Sequence, residues 1–311
     1  MSVKLGYLLP TRERVMEGEH AVAPLLALAR RAESFGFDSL WVGDSVTARP
    51  RHDPLTLLAA VAVAAPGMEL GTAVLLPALR NPVLLAHQIA TLDRISEGRL
   101  ILGVGIASDR PNIRAEFAAC GVPFDKRIGT MIEGLRLCRA FWSGEKVDWD
   151  GRWTVRGASV GPTPHRPGGP PIWLGGNGPP SFERVGRHYD GWFPNGADPA
   201  GFVDGLGRIR DVARGAGRNP AAITGAVYLT LAIDDDGARA DARMNAFMEH
   251  YYGQPASAVR ARQVNFAGPA ASAAEWLAGY AKAGASHLVL RFAGDHERNL
   301  AALADVRASI G

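Results

Sequence analysis

The chain has 311 residues, of which 47% are hydrophobic and 21% charged, and its formal net charge is +3. This composition is typical of a folded protein with a large core and excludes a disordered chain. The basic residues are scattered, so we expect neither a nucleic-acid partner nor a membrane surface. No apolar run approaches the roughly 18 residues of a membrane span, and the first residues lack the apolar stretch of a signal peptide. Two cysteines, Cys120 and Cys138, are too few for a disulfide framework or a metal site, so we expect reduced thiols in a cytoplasmic protein.

Strands and helices are predicted to alternate along the chain. Short apolar runs, many with β-branched residues, are typical of buried strands. They predict eight strands, at Val3–Leu9, Ser39–Val42, Leu70–Leu76, Leu100–Val104, Ile172–Leu174, Gly191–Phe193, Ala226–Ile233 and Ser286–Phe292. Helices between them have clear starting signals, since Asp53-Pro54 and Asn81-Pro82 each combine a capping side chain with a proline in the first turn.

Two segments interrupt this alternation. Val147–Val155 carries an Asp150-Gly151 turn between alternating residues and predicts a hairpin outside the main sheet. A mostly helical insert is predicted from about Asp236 to Ala267, between strands seven and eight. Eight strands followed by helices indicate a (β/α)8 TIM barrel that forms a single domain over residues 1–311. A doubly wound open sheet is the alternative, because periodicity does not distinguish a closed sheet from an open one.

Two glycine-rich loops follow predicted strands. The loop Gly175–Ser181 lies between a strand and a helix, where glycines let the backbone approach an anion and free N–H groups bind it. The alternative is a tight turn with no ligand. Gly103–Ser108 resembles a truncated dinucleotide fingerprint, but no acidic residue follows at the usual distance. We interpret it as a loop that leaves room for a flat ring.

Polar side chains after the strands are the candidates for chemistry, because barrel enzymes keep reactive groups at the carboxyl ends of their strands. Asp44 and Ser45 follow strand two, although both residue types also cap helices and loops. His52 and His296 lie in loops near the strand ends and are able to transfer protons at neutral pH. The arginines that can pair with a cofactor phosphate or an acidic substrate are Arg49, Arg51, Arg110 and Arg291. No HxH pair or comparable cluster indicates a metal site, so a hydrolytic metal barrel is not expected.

An apolar stripe at helical spacing runs through the insert. It comprises Met244, Phe247, Met248, Tyr251 and Tyr252. Such a stripe is typical of core packing, and the alternative is a lid over an apolar substrate.

Several segments together resemble the bacterial luciferase-like monooxygenase superfamily of (β/α)8 flavin or deazaflavin oxidoreductases. They are AESFGFDSLWVGDS, DPLTLLAAVAVAA, ELGTAVLLPALRNPVLLAHQIATLDRISEGRLILGVG, FAACGVPFDKRIGTMIEGLRLCRAFWSGE, PPIWLGGNGPP and HYDGWFP. Each segment alone is a modest signal, whereas their order and spacing are specific to the superfamily. The region Asp236–Ala267 matches least well, and this is where such enzymes vary with substrate.

The resemblance implies a set of cofactor contacts. The cofactor phosphate is expected at the loop of strand five, and the ring is expected across the barrel mouth. The peptide between Ala73 and Val74 is often cis in relatives, where it supports the ring from behind. The implied cofactor-binding residues are Ala73, Val74, Gly105, Ala107, Gly175, Gly176, Asn177 and Gly178.

The chain departs from one branch of the superfamily, the deazaflavin-dependent sugar-phosphate dehydrogenases. That branch has a histidine after the aspartate, where this chain has Ser45. It also has a glutamate after the strand-four glycines, where this chain has Ser108. Both acid/base groups are replaced, so we do not expect that sugar oxidation. The candidate catalytic residues are therefore Asp44, Ser45, His52, Ser108 and His296.

The resemblance favours a flavin-dependent oxidoreductase that acts on a small organic substrate with reduced FMN and oxygen. One alternative is hydride transfer with the deazaflavin coenzyme F420, and another is a non-catalytic flavin-binding barrel. A monooxygenase of this kind is expected to receive reduced flavin from a separate reductase. A homodimer through the helices beside strands two to four is also expected, and the apolar helix Leu55–Ala64 suits such an interface as well as packing on the barrel.

Overall fold

Eight parallel strands close into a barrel in the computed structural model, which describes residues 3–310. The strands are β1 (Lys4–Leu8), β2 (Ser39–Val42), β3 (Glu69–Thr72), β4 (Leu100–Val104), β5 (Val147–Asp150), β6 (Thr154–Ala158), β7 (Ile172–Leu174), β8 (Gly191–Trp192), β9 (Thr224–Ile233), β10 (Asn265–Gly268) and β11 (His287–Phe292). Neighbouring strands of the barrel follow the order β1-β2-β3-β4-β7-β8-β9-β11, and β11 pairs with β1. Pairing of Gly191 with Thr224 and of Trp192 with Gly225 joins β8 to β9 and closes the cylinder. The predicted TIM barrel is confirmed, and the open-sheet alternative is wrong.

Helices surround the barrel and mostly follow its strands. They are α1 (Thr11–Met16), α2 (Ala23–Ser34), α3 (Pro54–Ala64), α4 (Pro82–Ile95), α5 (Pro111–Ala119), α6 (Arg127–Trp142), α7 (Pro179–His188), α8 (Pro199–Gly215), α9 (Gly237–Tyr252), α10 (Ala256–Arg260), α11 (Ala270–Lys282) and α12 (His296–Val306). Short 3-10 turns occur at Pro77–Leu79, Phe124–Lys126, Pro220–Ala222 and Arg307–Ser309. No helix within residues 3–310 is both long enough and apolar enough to cross a lipid bilayer.

Local capping explains where two of these helices begin. The Asp53 carboxylate accepts a hydrogen bond from Thr56 N at 2.9 Å at the start of α3. The Asn81 side chain accepts one from Val83 N at 2.9 Å at the start of α4. In both cases a proline follows the cap, where its missing N–H is not needed. Both predicted starts are confirmed.

The elements differ from the sequence prediction in three places. The third barrel strand ends at Thr72 rather than Leu76, because the backbone bends at residues 73–74 before the 3-10 turn Pro77–Leu79. Helix α5 covers residues 111–119, for which the sequence analysis gives no element. The segment 236–267 contains α9 and α10 and enters β10, which extends the sheet by pairing in parallel with β9. The hairpin β5–β6 is antiparallel and lies outside the barrel sheet, as predicted.

Aromatic rings fill the barrel interior below the strand ends. The rings of Trp41 and Trp173 have centroids 5.5 Å apart, and Phe193 packs on both. Gly71 makes room for them, since a Cβ there would lie 2.2 Å from the Trp41 ring. This packed layer fills the barrel interior below the carboxyl ends of the strands.

Candidate active site

A cavity of about 410 Å³ opens at the carboxyl ends of the barrel strands. Its walls come from the loops after β2, β3, β4 and β7, from the ends of β9 and β11, and from the end of α9. This is the face at which (β/α)8 enzymes place their active sites. The cavity is therefore the candidate active site.

Most of the predicted cofactor-binding residues share one side of this cavity. Ala73, Val74, Gly105, Ala107, Gly175 and Gly176 all line it. The peptide bond between Ala73 and Val74 is cis. A Cβ on Gly105 would lie 2.6 Å from Cγ2 of Val74, so glycine lets the loop after β4 approach the loop after β3. Together these two loops form a wall that leaves room for a flat ring.

The loop between β7 and α7 presents backbone donors beside the cavity. The N–H groups of Gly176, Asn177 and Gly178 donate no hydrogen bond to any other part of residues 3–310. Gly176 and Gly178 adopt φ values of 111° and 121°, which only glycine adopts without strain. Consecutive free N–H groups in such a loop form a concavity that binds anions.

The first turn of α7 provides fewer free N–H donors for an anion than a helix start usually does. Pro179 and Pro180 have no N–H, and the N–H groups of Ser181 and Phe182 return to the carbonyl oxygen of Gly178. The expected donors at the helix start are thus absent or satisfied, and the loop amides replace them. Asn177 and Gly178 lie next to the cavity rather than lining it. In its hydrogen-bonded orientation the Asn177 side-chain amide donates to Gly176 O at 3.3 Å and accepts from Gly196 N at 3.3 Å.

Asp44 lines the cavity, but its carboxylate is fully engaged within the protein. Its side chain is 2% exposed and forms a bidentate pair with Arg80, at 2.6 and 3.1 Å. Leu76 N donates a third hydrogen bond at 2.9 Å. Asp44 therefore fixes the loop after β3 against the loop after β2, and it is poorly arranged to move a proton.

Ser45 is held by a residue that the sequence analysis did not identify. Its hydroxyl donates to Glu116 Oε1 at 2.7 Å, and the same oxygen accepts from the N–H groups of Val46, Thr47 and Ala48 at 2.6, 2.9 and 3.2 Å. Glu116 is fully buried and lines the cavity, and its Oε2 has no partner among the described residues. Glu116 therefore fixes the loop that leads to Arg49 and Arg51.

The remaining predicted catalytic residues are separated by the fold. Ser108 lines the cavity from an exposed position in the loop after β4. His52 does not line it and instead contacts the carbonyl oxygen of His20 at 3.1 Å. His296 lies in a second cavity of about 500 Å³, bounded by α1, α2, α9 and α12. There its Nδ1 contacts Tyr7 Oη at 2.8 Å, and burial lowers the pKa of His296 to about 4.

Arginines and tyrosines form the other side of the first cavity. Arg49, Arg51, Arg291, Tyr228, Tyr251, Tyr252 and Gln263 line it. Arg291 is 1% exposed, and its guanidinium donates to Tyr252 Oη at 2.8 Å and to Gln263 Oε1 at 3.1 Å. The sequence analysis named the three arginines but not Tyr228 or Gln263. Alternation along β9 gives a signal for Tyr228, because Ala226, Tyr228 and Thr230 point to one face of an otherwise apolar strand.

Arg291 also changes the acidity of its neighbour. Burial alone would raise the pKa of Tyr252, but the charge of Arg291 and the hydrogen bonds from Arg291 and Gln263 lower it overall. At Tyr228, by contrast, burial raises the pKa. Tyr252 is thus the cavity-lining phenol that loses its proton more readily than usual.

The apolar stripe of α9 divides between the two predicted roles. Met244 and Met248 are fully buried and pack with Ala232, Val259 and Ala293. Tyr251 and Tyr252, at the end of the same helix, face the first cavity. The stripe thus anchors α9 on the barrel and brings its last turn over the mouth.

A family model described as luciferase-like monooxygenase matches residues 3–311. The chain belongs to the luciferase-like monooxygenase family. The predicted membership of these oxidoreductases is confirmed. The match covers nearly all of the chain and includes every loop that lines the first cavity.

Individual relatives show the same similarity. A 5,10-methylenetetrahydromethanopterin reductase of Methanolobus tindarius is 34% identical over 212 residues, which are 68% of this chain and 62% of the reductase. An F420-dependent glucose-6-phosphate dehydrogenase of Mycolicibacterium fortuitum is 31% identical over 243 residues, 75% of this chain and 70% of that enzyme. The solved structure of an F420-dependent secondary alcohol dehydrogenase in complex with an F420-acetone adduct covers 100% of both chains with a TM-score of 0.85 and 20% identity. At that identity the last similarity shows the fold alone.

Proposed function

We propose that this protein is an oxidoreductase that holds a flavin-type cofactor across the barrel mouth and acts on a small organic substrate. The free N–H groups of Gly176, Asn177 and Gly178 carry this proposal, since three adjacent donors without acceptors fit a phosphate. The flat wall of Ala73, Val74 and Gly105 fits a planar ring beside that phosphate. When bound, such a cofactor supplies the hydride chemistry, and the protein supplies orientation and a shielded pocket.

Coenzyme F420 is the cofactor we favour. The Mycolicibacterium fortuitum dehydrogenase, one of the relatives that are more than 30% identical to this chain, is F420-dependent. Its sugar substrate is not carried over, because Ser45 and Ser108 stand where that branch has its acid/base groups. The reaction proposed here is therefore hydride transfer between F420 and a different small molecule.

Reduced FMN with oxygen is the second candidate. Part of the cavity wall is apolar, which suits chemistry that must exclude water. This part is formed by Leu76, Ile106, Ile113 and Phe193. The engagement of Asp44 by Arg80 also leaves no free carboxylate there to act as the base in an alcohol oxidation. In this version a separate reductase would deliver the reduced flavin.

Tyr252 is the residue that we propose to hold the transferred proton. Its Oη lies in the cavity wall, accepts from Arg291 and Gln263, and has a lowered pKa. A group of this kind can accept a proton from a substrate hydroxyl or return it to a carbonyl oxygen. Asp44 and Glu116 would act on the reaction only by fixing the loops after β2 and β3.

Cofactor titration tests the proposal directly. The purified protein is titrated with F420 and with FMN, and binding is followed by fluorescence quenching. We expect saturable binding of F420, and we expect Gly178→Ala to weaken it by about tenfold or more, or ~1.4 kcal/mol, because a side chain at φ 121° distorts the loop. Gly168→Ala is the matched control, since Gly168 also has a positive φ and open space around it but precedes β7 and lies outside the loop that follows this strand.

Each outcome of the titration has a distinct meaning. Binding of FMN alone, with oxygen consumption by the reduced complex, would replace F420 hydride transfer by the second candidate. Binding of either cofactor without turnover of any substrate would indicate a non-catalytic flavin-binding barrel. Failure of both cofactors to bind would refute the proposal.

We also propose a homodimer through α3 and α4. Val63 on α3 is 75% exposed, and Leu84 on the neighbouring α4 is 63% exposed, so each of the two helices presents an apolar side chain that a partner subunit would cover. Light scattering is expected to give twice the chain mass, and Val63→Glu with Leu84→Glu is expected to give the monomer. A cytoplasmic location is part of the proposal, because Cys120 and Cys138 are both free thiols.

A further inference from the structure

We propose that the substrate of this enzyme carries a carboxylate and that Arg51 and Arg291 bind it on the side of the barrel mouth opposite β7. This inference deepens the proposed function, because it assumes that the first cavity is the substrate site. It rests on the charges, the position and the unused donors of the arginines.

The charges around the cavity are not balanced. Arg12, Arg49, Arg51 and Arg291 are grouped around Tyr251 and Tyr252, and none of them forms an ion pair with a carboxylate within residues 3–310. Two carboxylates line the cavity, but Asp44 is paired with Arg80 and Glu116 is bound by Ser45 and backbone N–H groups. Even when Glu116 is counted as one negative charge, the three arginines that line the cavity outnumber it, and this excess of cations attracts an anionic ligand.

One nearby carboxyl group does not remove this imbalance. Glu13 lies on α1 near these arginines; burial raises its pKa overall, although the charges of Arg291, Arg51 and Arg12 act to lower it. Its Oε1 is buried without a hydrogen-bond partner among the described residues. Glu13 lines the second cavity rather than the first, so a ligand in the first cavity meets the arginines.

The arginines lie across the barrel from the anion-binding loop proposed for the cofactor. Arg12 follows β1, Arg51 follows β2 and Arg291 ends β11, and these are three consecutive strands of the barrel. Strand β7 is the fifth of the eight strands when counted from β1, which places it opposite β1. A phosphate held by residues 176–178 therefore leaves the arginines free for a second anion.

Neighbouring groups hold the Arg291 guanidinium rigidly. Thr230 Oγ1 accepts from its Nη2 at 2.8 Å and from its Nε at 3.2 Å, and Tyr252 Oη accepts from its Nη1 at 2.8 Å. Aromatic rings flank it, with the Tyr251 centroid 4.9 Å and the Phe247 centroid 5.0 Å from Cζ. A cation that is fixed and buried in this way loses little entropy when it binds a charged partner.

Arg51 has donors that the protein does not use. Its Nε donates to Arg49 O at 3.1 Å, and its Nη2 makes only a long contact of 3.4 Å with Tyr251 Oη. Its Nη1 has no acceptor among the described residues, although the side chain lines the cavity. A carboxylate between Arg51 and Arg291 would accept charge-assisted hydrogen bonds, and the tyrosine rings would contact the apolar part of the molecule.

A matched pair of ligands tests this site without any cofactor. Benzoate and its neutral analogue benzamide are titrated by calorimetry into the full-length protein. We expect benzoate to bind at least about tenfold more tightly than benzamide, because the two differ mainly in charge. Arg51→Gln is expected to remove this preference, and Arg51→Lys is expected to retain part of it.

Two further variants separate the site from general charge effects. Arg14→Gln also removes one positive charge, but Arg14 lies on α1 and lines the second cavity. The preference for benzoate should therefore persist in this variant. Arg291→Gln should reduce the preference as Arg51→Gln does. If Arg291→Gln fails to fold because of its burial, the comparison of Arg51→Gln with Arg14→Gln decides the matter alone.

The results distinguish this inference from the proposed function. Benzoate that binds no more tightly than benzamide, or binds equally to wild type and Arg51→Gln, overturns the inference even if F420 binds. Loss of F420 or FMN affinity in Arg51→Gln, with the benzoate preference unchanged, assigns the arginines to the cofactor and also overturns it. A benzoate preference that depends on Arg51 in a protein that binds neither cofactor supports the inference and refutes the proposed function.

Discussion

Proton uptake by His287 in the unfolded chain is expected to destabilise the folded barrel in mild acid. His287 is 3% exposed at the start of β11, and its Nε2 lies 2.6 Å from Ser39 Oγ, which also accepts from Trp41 Nε1. Burial, with a smaller effect from the charge of Lys4, lowers the pKa of His287 to about 3. The unfolded chain has a histidine pKa of about 6.5, so below this pH the unfolded state binds a proton that the folded state excludes.

The size of this effect follows from the two pKa values. Stability due to His287 is fully present above about pH 6.5 and is lost as the pH falls toward about 3, at up to ~1.4 kcal/mol per pH unit. Between about pH 7.5 and about pH 5 the expected loss is therefore ~2 kcal/mol. His287→Gln removes the titration and keeps a neutral polar group near Ser39, so the variant should lose about 2 kcal/mol less than wild type over this interval.

Urea unfolding followed by tryptophan fluorescence at both pH values measures the difference. His296 contributes its own acid sensitivity in wild type and variant alike, and this contribution cancels. His87→Gln, on the exposed face of α4, should behave as wild type. Equal losses of unfolding free energy in wild type and His287→Gln would refute the argument that buried His287 stays neutral.

Three other substitutions have expected outcomes. Asp44→Asn should lower the free energy of unfolding in urea by about 2–3 kcal/mol, which is less than the ~3–5 kcal/mol of a fully buried broken pair because Arg80 keeps its pair with Asp53. Asp109→Asn, at an exposed pair, should leave the free energy of unfolding nearly unchanged. Glu116→Gln should lower the free energy of unfolding by about 1–3 kcal/mol in the same assay, because its charge-assisted hydrogen bonds weaken and an amide is buried without a partner. Glu183→Gln, at an exposed pair, is the control, and an equally small loss of unfolding free energy in both variants would contradict this expectation. Tyr252→Phe should reduce turnover by about 100-fold and change the cofactor dissociation constant by no more than about twofold, because it removes a proton-transfer group. Unchanged turnover would exclude Tyr252 from that role.

The catalytic candidates show what a sequence does not reveal about side-chain direction. His52 and His296 were selected because they lie in loops near the strand ends, but one contacts the carbonyl oxygen of His20 and the other faces the second cavity. Asp44 and Ser45 lie at the barrel mouth, yet their polar atoms are occupied by Arg80 and Glu116. Which partner a polar side chain meets depends on distant chain segments, so position in a loop does not determine chemical role.

Local interactions account for what the sequence determined by itself. The strand and helix order, the caps at Asp53 and Asn81, and the glycine loop after β7 depend on groups only a few residues apart. Barrel closure and the assembly of the site instead depend on contacts between distant residues, such as Ser45 with Glu116, 71 positions apart, and Arg291 with Tyr252, 39 positions apart. Only the tertiary structure decides these contacts, because they form when the closed sheet brings the ends of all its strands to one face.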